Sequence, residues 1–368
     1  MSLEAFYEAI EPVPTKYMEG KKVIGSFCSY TPEEMIHAAG FLPLRLNARG
    51  HRETALGDSF LSKFNCTFCR TVFDMVLKNK YDFLEGVISL NSCDHIRRTF
   101  DNWKHEKTPK FHHFLSVPHH ASPAAVNWFV GEMLNLKKNL EDSFNLKITE
   151  QNLKNSIRIY NESRELLRSL YEKRKEEKLK ISGTEAFAIV IAATSLPKEI
   201  FNALLSNFLK SYDNRPELNY NARIMIIGSL IDNIEYVKLI EDLGVIVVTD
   251  SQCFGSKYFW NLVDETKEPI QALSERYLMK VPCSRMIGKN VNHNVRLEFV
   301  KNLIRDYYVD GVIFENLKFC DLQGGDNYMM IKDLKKLGVP TLELDREYIL
   351  SGVGQMKTRV QAFLEVLS

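Results

Sequence analysis

Apolar and polar positions near the start of the chain, in "KKVIGSFCSYTPEEMIHAAGFLPLRL", read as strand, turn, helix, turn, strand. The helix start predicted there is a capping box: Thr31 at the N-cap, Pro32 at the first helical position and Glu34 at the third. Gly40 suits a left-handed C-terminal stop. From Ala222, "ARIMIIGSLIDNIEYVKLIEDLGVIVVTDS" repeats the order, with Gly228-Ser229 matching Gly25-Ser26 and Gly244 matching Gly40. Two further apolar runs end alike, "GVISLNSCD" (Gly86 to Asp94) and "GVIFENLKFCD" (Gly311 to Asp321). Each half thus reads strand, Gly-Ser turn, helix, Gly, strand and, later, a strand ending in Cys-Asp, a degenerate internal repeat.

Near-continuous apolar strands alternating with helices predict two similar α/β domains with short parallel sheets of Rossmann or flavodoxin type. The connecting stretch is helical. "VNWFVGEMLNLKKNLEDSF" and "TEQNLKNSIRIYNESRELLRSLYEKRKEEK" carry apolar residues at three- and four-residue spacing, the second starting at Thr149 as N-cap. Its "EKRKEEKLK" end reads as a solvated charge run. The polar segment "DNRPELNYN" marks the boundary, giving an N-terminal domain with a helical extension over 1–212 and a C-terminal domain over 213–368.

Composition narrows the class. A length of 368 residues favours two domains, and a net charge of +1 recruits neither nucleic acid nor membrane. No apolar run approaches a membrane span, and the N-terminus lacks a signal peptide's basic flank and apolar core. Seven irregularly spaced cysteines do not form a disulfide framework, so a reducing cytoplasm is the expected compartment.

In open parallel sheets, sites form beyond the carboxyl ends of the strands, where both Cys-Asp pairs fall. Facing domains would bring Cys93 and Cys320 to one cleft. Cys66 and Cys69, in "FNCTFCRTVFDMV", precede a helix whose N-terminus, with Arg70, favours the thiolate. Cysteines from separate segments suit zinc or an iron–sulfur cluster, and zinc is the weaker choice because only one close pair exists. Cys28, Cys253 and Cys283 read as small buried hydrophobes, and His119-His120 as loop residues. Arg97 and Arg98 read equally as surface residues or anion ligands. No Gly-x-Gly-x-x-Gly, Walker or Gly-x-Ser-x-Gly motif occurs, which disfavours nucleotide binding and serine-hydrolase chemistry.

The segments "IGSFCSYTPEEMIHAAGFLPLRL", "CTFCRTVFDMVLKNKYDFLEGVISLNSCDHIRRTFDNW", "DGVIFENLKFCD" and "GVPTLELDREYILSGVGQMKTRVQAFLE" together resemble the 2-hydroxyacyl-CoA dehydratase and benzoyl-CoA reductase family. The resemblance runs from about residue 20 to the C-terminus. It implies a 4Fe-4S cluster in the interdomain cleft on Cys66, Cys93 and Cys320, with one iron left open. It also implies ketyl-radical chemistry on an acyl-CoA or aryl-CoA thioester, a paralogous second subunit and a separate ATP-hydrolysing iron–sulfur activator.

Departures from the family pattern leave alternatives open. Cys69 stands where many members have a small residue; as a fourth ligand it would close the cluster and make this an electron-relay subunit. A non-catalytic partner subunit, or a double-cubane protein reducing small molecules and using further cysteines such as Cys253 and Cys283, are the other readings. "DHIRRTFDNW" after Cys93 leans towards the reductase branch. Positional candidates for substrate contacts are Ser26, Ser229, Arg97, Arg98 and the helix start at Tyr30-Thr31, whose free N–H groups would face the cleft.

Overall fold

The computed structural model describes residues 3–280 and 283–367. The first half runs α1 (Glu4–Ala9), β1 (Val23–Ser26), α2 (Glu33–Ala38), β2 (Leu42–Arg45), α3 (Thr67–Leu77), β3 (Leu84–Leu90), α4 (Asp94–Lys107) and β4 (Phe111–Leu115). Four helices follow: α5 (Pro123–Phe144), α6 (Glu150–Lys173), α7 (Gly183–Ala192) and α8 (Lys198–Lys210). The second half begins β5 (Arg223–Gly228), α9 (Ile234–Glu241), β6 (Ile246–Ser251), α10 (Ser256–Phe259) and α11 (Pro269–Met279). It ends α12 (His293–Asp306), β7 (Gly311–Leu317), α13 (Asp321–Lys336), β8 (Thr341–Arg346) and α14 (Val353–Leu367).

Both sheets are four-stranded and wholly parallel, ordered β2-β1-β3-β4 and β6-β5-β7-β8. The expected pair of similar α/β units with parallel sheets is what the chain forms. In each, the strand order reverses beside the first strand, so the crevice at the carboxyl ends opens between β1 and β3, and between β5 and β7. Strands buried on both faces explain the continuous apolar runs, as in β5, "RIMIIG", where every residue is buried.

The cores interlock along the chain. Apolar residues of α1 and α7 pack with the second sheet, where α7 lies against β6 and α9. Conversely, α11 packs on α5 within the core of the first sheet. Gly40 and Gly244 end α2 and α9 with φ of +85° and +86°, and Thr149 caps α6 in a capping box closed by Asn152. Among the described residues no helix is long and apolar enough to cross a membrane.

The start of α2 departs from its predicted cap. The helix begins at Glu33, with Pro32 in the cap position, and the Thr31 hydroxyl is buried without a partner. Tertiary pairing overrides the local cap because both glutamates turn inward. Glu34 pairs with Arg164 on α6 and accepts from the Tyr277 hydroxyl on α11 at 2.8 Å; Glu33 accepts from Tyr258 at 2.7 Å and lies 3.4 Å from Lys198. Nor are the backbone N–H groups there free. That of Thr31 donates to Cys28 O and that of Glu33 to the Tyr277 hydroxyl.

Candidate functional site

Three cysteines stand at N-cap positions: Cys66 before α3, Cys93 before α4 and Cys320 before α13. All three line one cavity of 370 Å³, together with Asn91, Ser92, Asp94, His95, Arg97, His119 and Leu322. Cys93 and Cys320 arrive from the carboxyl ends of β3 and β7, as the repeated Cys-Asp pattern required. Three helix N-termini therefore aim their positive dipole ends at one space, a setting that favours thiolates and other anions.

The thiols differ in acidity. Cys66 is pulled down to about 5, first by the Cys69 thiol that hydrogen-bonds to it and then, against burial, by His95. His95 is raised in return by Cys66, and the Cys66 N–H donates to its Nδ1 at 3.2 Å. Burial, then the Cys66 charge, push Cys93 well up and Cys320 up to about 12. One thiolate thus keeps its neighbours protonated, so only a cationic centre would draw all three into the anionic form. Among the described residues no three His, Cys, Asp or Glu side chains close on a single ion. Three thiols sharing 370 Å³ suit a polyatomic cluster better than one metal ion.

Other expected residues are placed as follows. Cys69 is fully buried behind Cys66 and does not line the cavity. Arg70 pairs with Asp58 at 2.9 Å, so His95 and Cys69, not Arg70, activate Cys66. Arg97 is on the cavity lining and 5.8 Å from the Phe114 ring, whereas Arg98 is exposed and reaches Asp94 at 3.4 Å. Ser26, Tyr30, Thr31 and Ser229 are buried outside the lining, Ser229 against the Cys320 thiol. His119, read as a loop residue, lies in a loop and also forms part of the wall, its Nδ1 2.9 Å from Arg285 O.

The three remaining cysteines include Cys253 and Cys283, named above for the double-cubane reading. Cys28 follows β1, Cys253 follows β6 and Cys283 follows α11, and the three thiols lie close enough to influence one another and nearby charges. Burial, then Cys283, push Cys253 up to about 11. Burial would raise Cys283 too, but Lys257 and Arg285 outweigh it and hold this thiol below its usual range. Cys28 also acts on Cys93, so the two groups are neighbours. Cys28 and Cys283 pack against the apolar core of the first sheet, as small hydrophobes would, and all three are half-buried.

Comparison with known proteins agrees with this architecture. Residues 28–367 match the family described as 2-hydroxyglutaryl-CoA dehydratase, D-component. A benzoyl-CoA reductase subunit of Thauera aromatica is 28% identical over 327 residues, covering 86% of this chain and 84% of the relative. The beta subunit of lactoyl-CoA dehydratase from Anaerotignum propionicum is 25% identical over 350 residues, covering 95% and 92%. The beta subunit of (R)-2-hydroxyglutaryl-CoA dehydratase from Acidaminococcus fermentans is 24% identical over 355 residues, covering 95% and 93%.

Proposed function

For a chain that belongs to the 2-hydroxyglutaryl-CoA dehydratase, D-component family, we propose the role of iron–sulfur subunit in an enzyme acting on CoA thioesters, of the 2-hydroxyacyl-CoA dehydratase or benzoyl-CoA reductase type. The carrying observation is the convergence of Cys66, Cys93 and Cys320, each at a helix N-terminus, on one cavity. A 4Fe-4S cluster there would supply a low-potential electron to the thioester carbonyl. The residues around it have their own tasks. Cys66, already acidic, is the ligand ready to bind first. The N–H of Ile96, 3.5 Å from the Cys93 sulfur, and Ser229 beside Cys320 tune the sulfurs. His95 is the proton-bearing group next to the site, and Arg97 on the lining is placed for an anionic part of the substrate. Both come from "DHIRRTFDNW", which, with the benzoyl-CoA reductase relative, favours the reductase branch.

A partner subunit is supported by an exposed aromatic pair. Phe64 and Phe319, 75% and 39% exposed, stack edge to face at 5.7 Å from opposite halves of the chain, close in sequence to Cys66 and Cys320. Exposed aromatics beside two of the three cysteines in sequence suit coverage by another chain. That chain would be a paralogous subunit, and electrons would come from the ATP-dependent activator.

A second reading, a double-cubane protein reducing small molecules, is favoured by one observation: Cys28, Cys253 and Cys283 form a further triad beside Cys93. One experiment addresses both. Iron and acid-labile sulfide are counted on anaerobically purified protein, with EPR before and after benzoyl-CoA or a 2-hydroxyacyl-CoA. About four irons per chain, lost in Cys93→Ala, with a spectrum shifted by one thioester, would support the first reading and name the branch; about eight would support the second. Absence of iron and sulfide would sink both.

A further inference from the structure

The segments that follow β2, β5 and β8 enclose a cavity of 380 Å³ that shares no wall residue with the cysteine cavity. Its polar wall is formed by Arg49, His51, Arg52, Asn233, Glu235 and Tyr348. Tyr348 ties the three segments together: its hydroxyl accepts from the Ala48 N–H at 2.9 Å and donates to Asp232 Oδ2 at 2.8 Å. Asn233 caps α9 and accepts the Glu235 N–H at 3.0 Å, so the positive end of that helix is part of the wall. Asp74 holds the His51 ring through Nε2 at 2.6 Å, which leaves Nδ1 to meet a ligand.

Arg49 is the unusual member of this wall. It is 8% exposed, and its Nε donates to Ile10 O at 2.7 Å, while Nη1 and Nη2 have no acceptor among the described residues. Other buried arginines are provided for. Arg164 and Arg296 face carboxylates, Arg223 and Arg285 each spread over three backbone carbonyls, and Arg174 stacks on the Tyr171 ring. Asp232 is the carboxyl that acts most on Arg49, yet the two form no ion pair. Tyr348 takes Asp232 Oδ2, and burial pushes that carboxyl up, towards its neutral form. Burial lowers Arg49 as well, but a guanidinium keeps its proton at neutral pH. Buried donors of a cation left without an acceptor are costly, and a ligand anion would satisfy them.

We infer that this cavity binds the phosphate group of a small organic phosphate, held by Arg49 and Arg52 at the N-terminus of α9. Two guanidinium groups and a helix N-terminus, opposed on the wall by the exposed Glu235 alone, suit a dianion better than a single carboxylate. The remaining wall, Leu239, Ile349, Leu350 and Val353, is apolar and would cover the organic part of the ligand. A volume of 380 Å³ is in the range of small-molecule sites. The arginines follow β2 in the first half, whereas α9 and the segment after β8 belong to the second. A bound phosphate therefore joins the two halves and stabilises the folded chain. Nothing in this depends on the cysteine groups.

The test is titration of the full metal-free chain with inorganic phosphate, by calorimetry and by Tm, against chloride at matched ionic strength. Phosphate should bind saturably at one site per chain and raise Tm. Arg52→Ala, at an exposed position, should fold as the parent does and bind about tenfold more weakly or worse, as loss of one charge-assisted hydrogen bond implies. Arg49→Met should abolish binding; if it does not fold, Arg49→Lys, which keeps the charge but not the fork, should weaken it. No saturable binding, an equal response to chloride, or affinity unchanged in both arginine variants overturns the inference. An equal response to acetate overturns the assignment to phosphate. Coenzyme A identifies the source. If it displaces phosphate from the parent chain but binds no better than phosphate to Arg52→Ala, the phosphate is that of the thioester substrate. If it leaves bound phosphate in place, the ligand is a separate organic phosphate.

Discussion

Gly25 and Gly228 occupy matching places at the ends of β1 and β5, each followed by the serine of the repeated turn, yet alanine should act very differently at the two. A Cβ on Gly228 would lie 2.5 Å from the Glu315 carbonyl oxygen, 2.3 Å from its Oε2 and 2.7 Å from Gln252 Nε2. Glu315 is the ladder partner of Gly228 on β7 and also pairs with β8, so its backbone cannot withdraw without parting two ladders. A Cβ on Gly25 would meet only methyl ends, Leu46 Cδ2 at 2.8 Å and Leu84 Cδ1 at 3.0 Å, which can rotate aside. Overpacking against fixed backbone puts Gly228→Ala at about 3 kcal/mol, or ~6–12 °C in Tm. For Gly25→Ala, strain of about 1 kcal/mol is offset by the ~0.4–1 kcal/mol from restricting the unfolded chain, leaving it near neutral. Differential scanning calorimetry on the two variants decides the matter. Equal losses, or a Gly228→Ala loss below about 1 kcal/mol, would refute the claim that β7 is rigid beneath Ser229 and Cys320.

The remaining predictions follow from the buried charges. Glu34→Gln leaves the Arg164 guanidinium without its anion and should cost about 3–5 kcal/mol in urea denaturation; a loss under 1 kcal/mol would mean that Arg164 re-pairs. Alkylation of Cys66 in the metal-free chain should turn over near pH 5 and move upward in Cys69→Ala, as mass spectrometry of the labelled peptide would show; turnover at an ordinary thiol's pH in the parent chain would discount the Cys69 contact. His113 is driven down to about 4 by burial, so the unfolded chain takes up the proton first and acid favours unfolding. Stability should fall as pH drops below about 6.5 and level off under about 4, by about 3 kcal/mol in all, and His113→Phe should abolish that share of the acid sensitivity.

What was legible in the sequence was local or repeated. Gly40, Gly244 and the Thr149 cap depend on residues within one turn, and their signals held. Cys93 and Cys320 were found because the same strand ending occurs twice. The cap at Thr31 failed because Glu34 is claimed by Arg164, 130 residues away, an attraction with no local trace. The packing of α1 and α7 on the second sheet was hidden for the same reason. Periodicity tells which face of a helix is buried, not which sheet buries it. The place of His119 in the cavity wall was missed because the loop that carries it meets Cys66 and Cys320 only in the folded chain.

The two cysteine groups differ in origin within the fold, and that difference bears on how each can change. The first uses the repeated strand end twice and adds Cys66 from a helix start, so two of its three cysteines come with the repeated strand ending. The second uses Cys28 after β1, but the matching position after β5 is Ile231, an apolar core residue. Cys253 follows β6 with no cysteine match after β2, whereas Cys283, in the β6–β7 connection before α12, matches Cys66 in the β2–β3 connection before α3. Cys28 and Cys253 therefore stand outside the repeated pattern, on positions that can be substituted without disturbing the ends of β3 and β7. A relative could lose Cys28 and Cys253 and still present Cys66, Cys93 and Cys320 to one cavity.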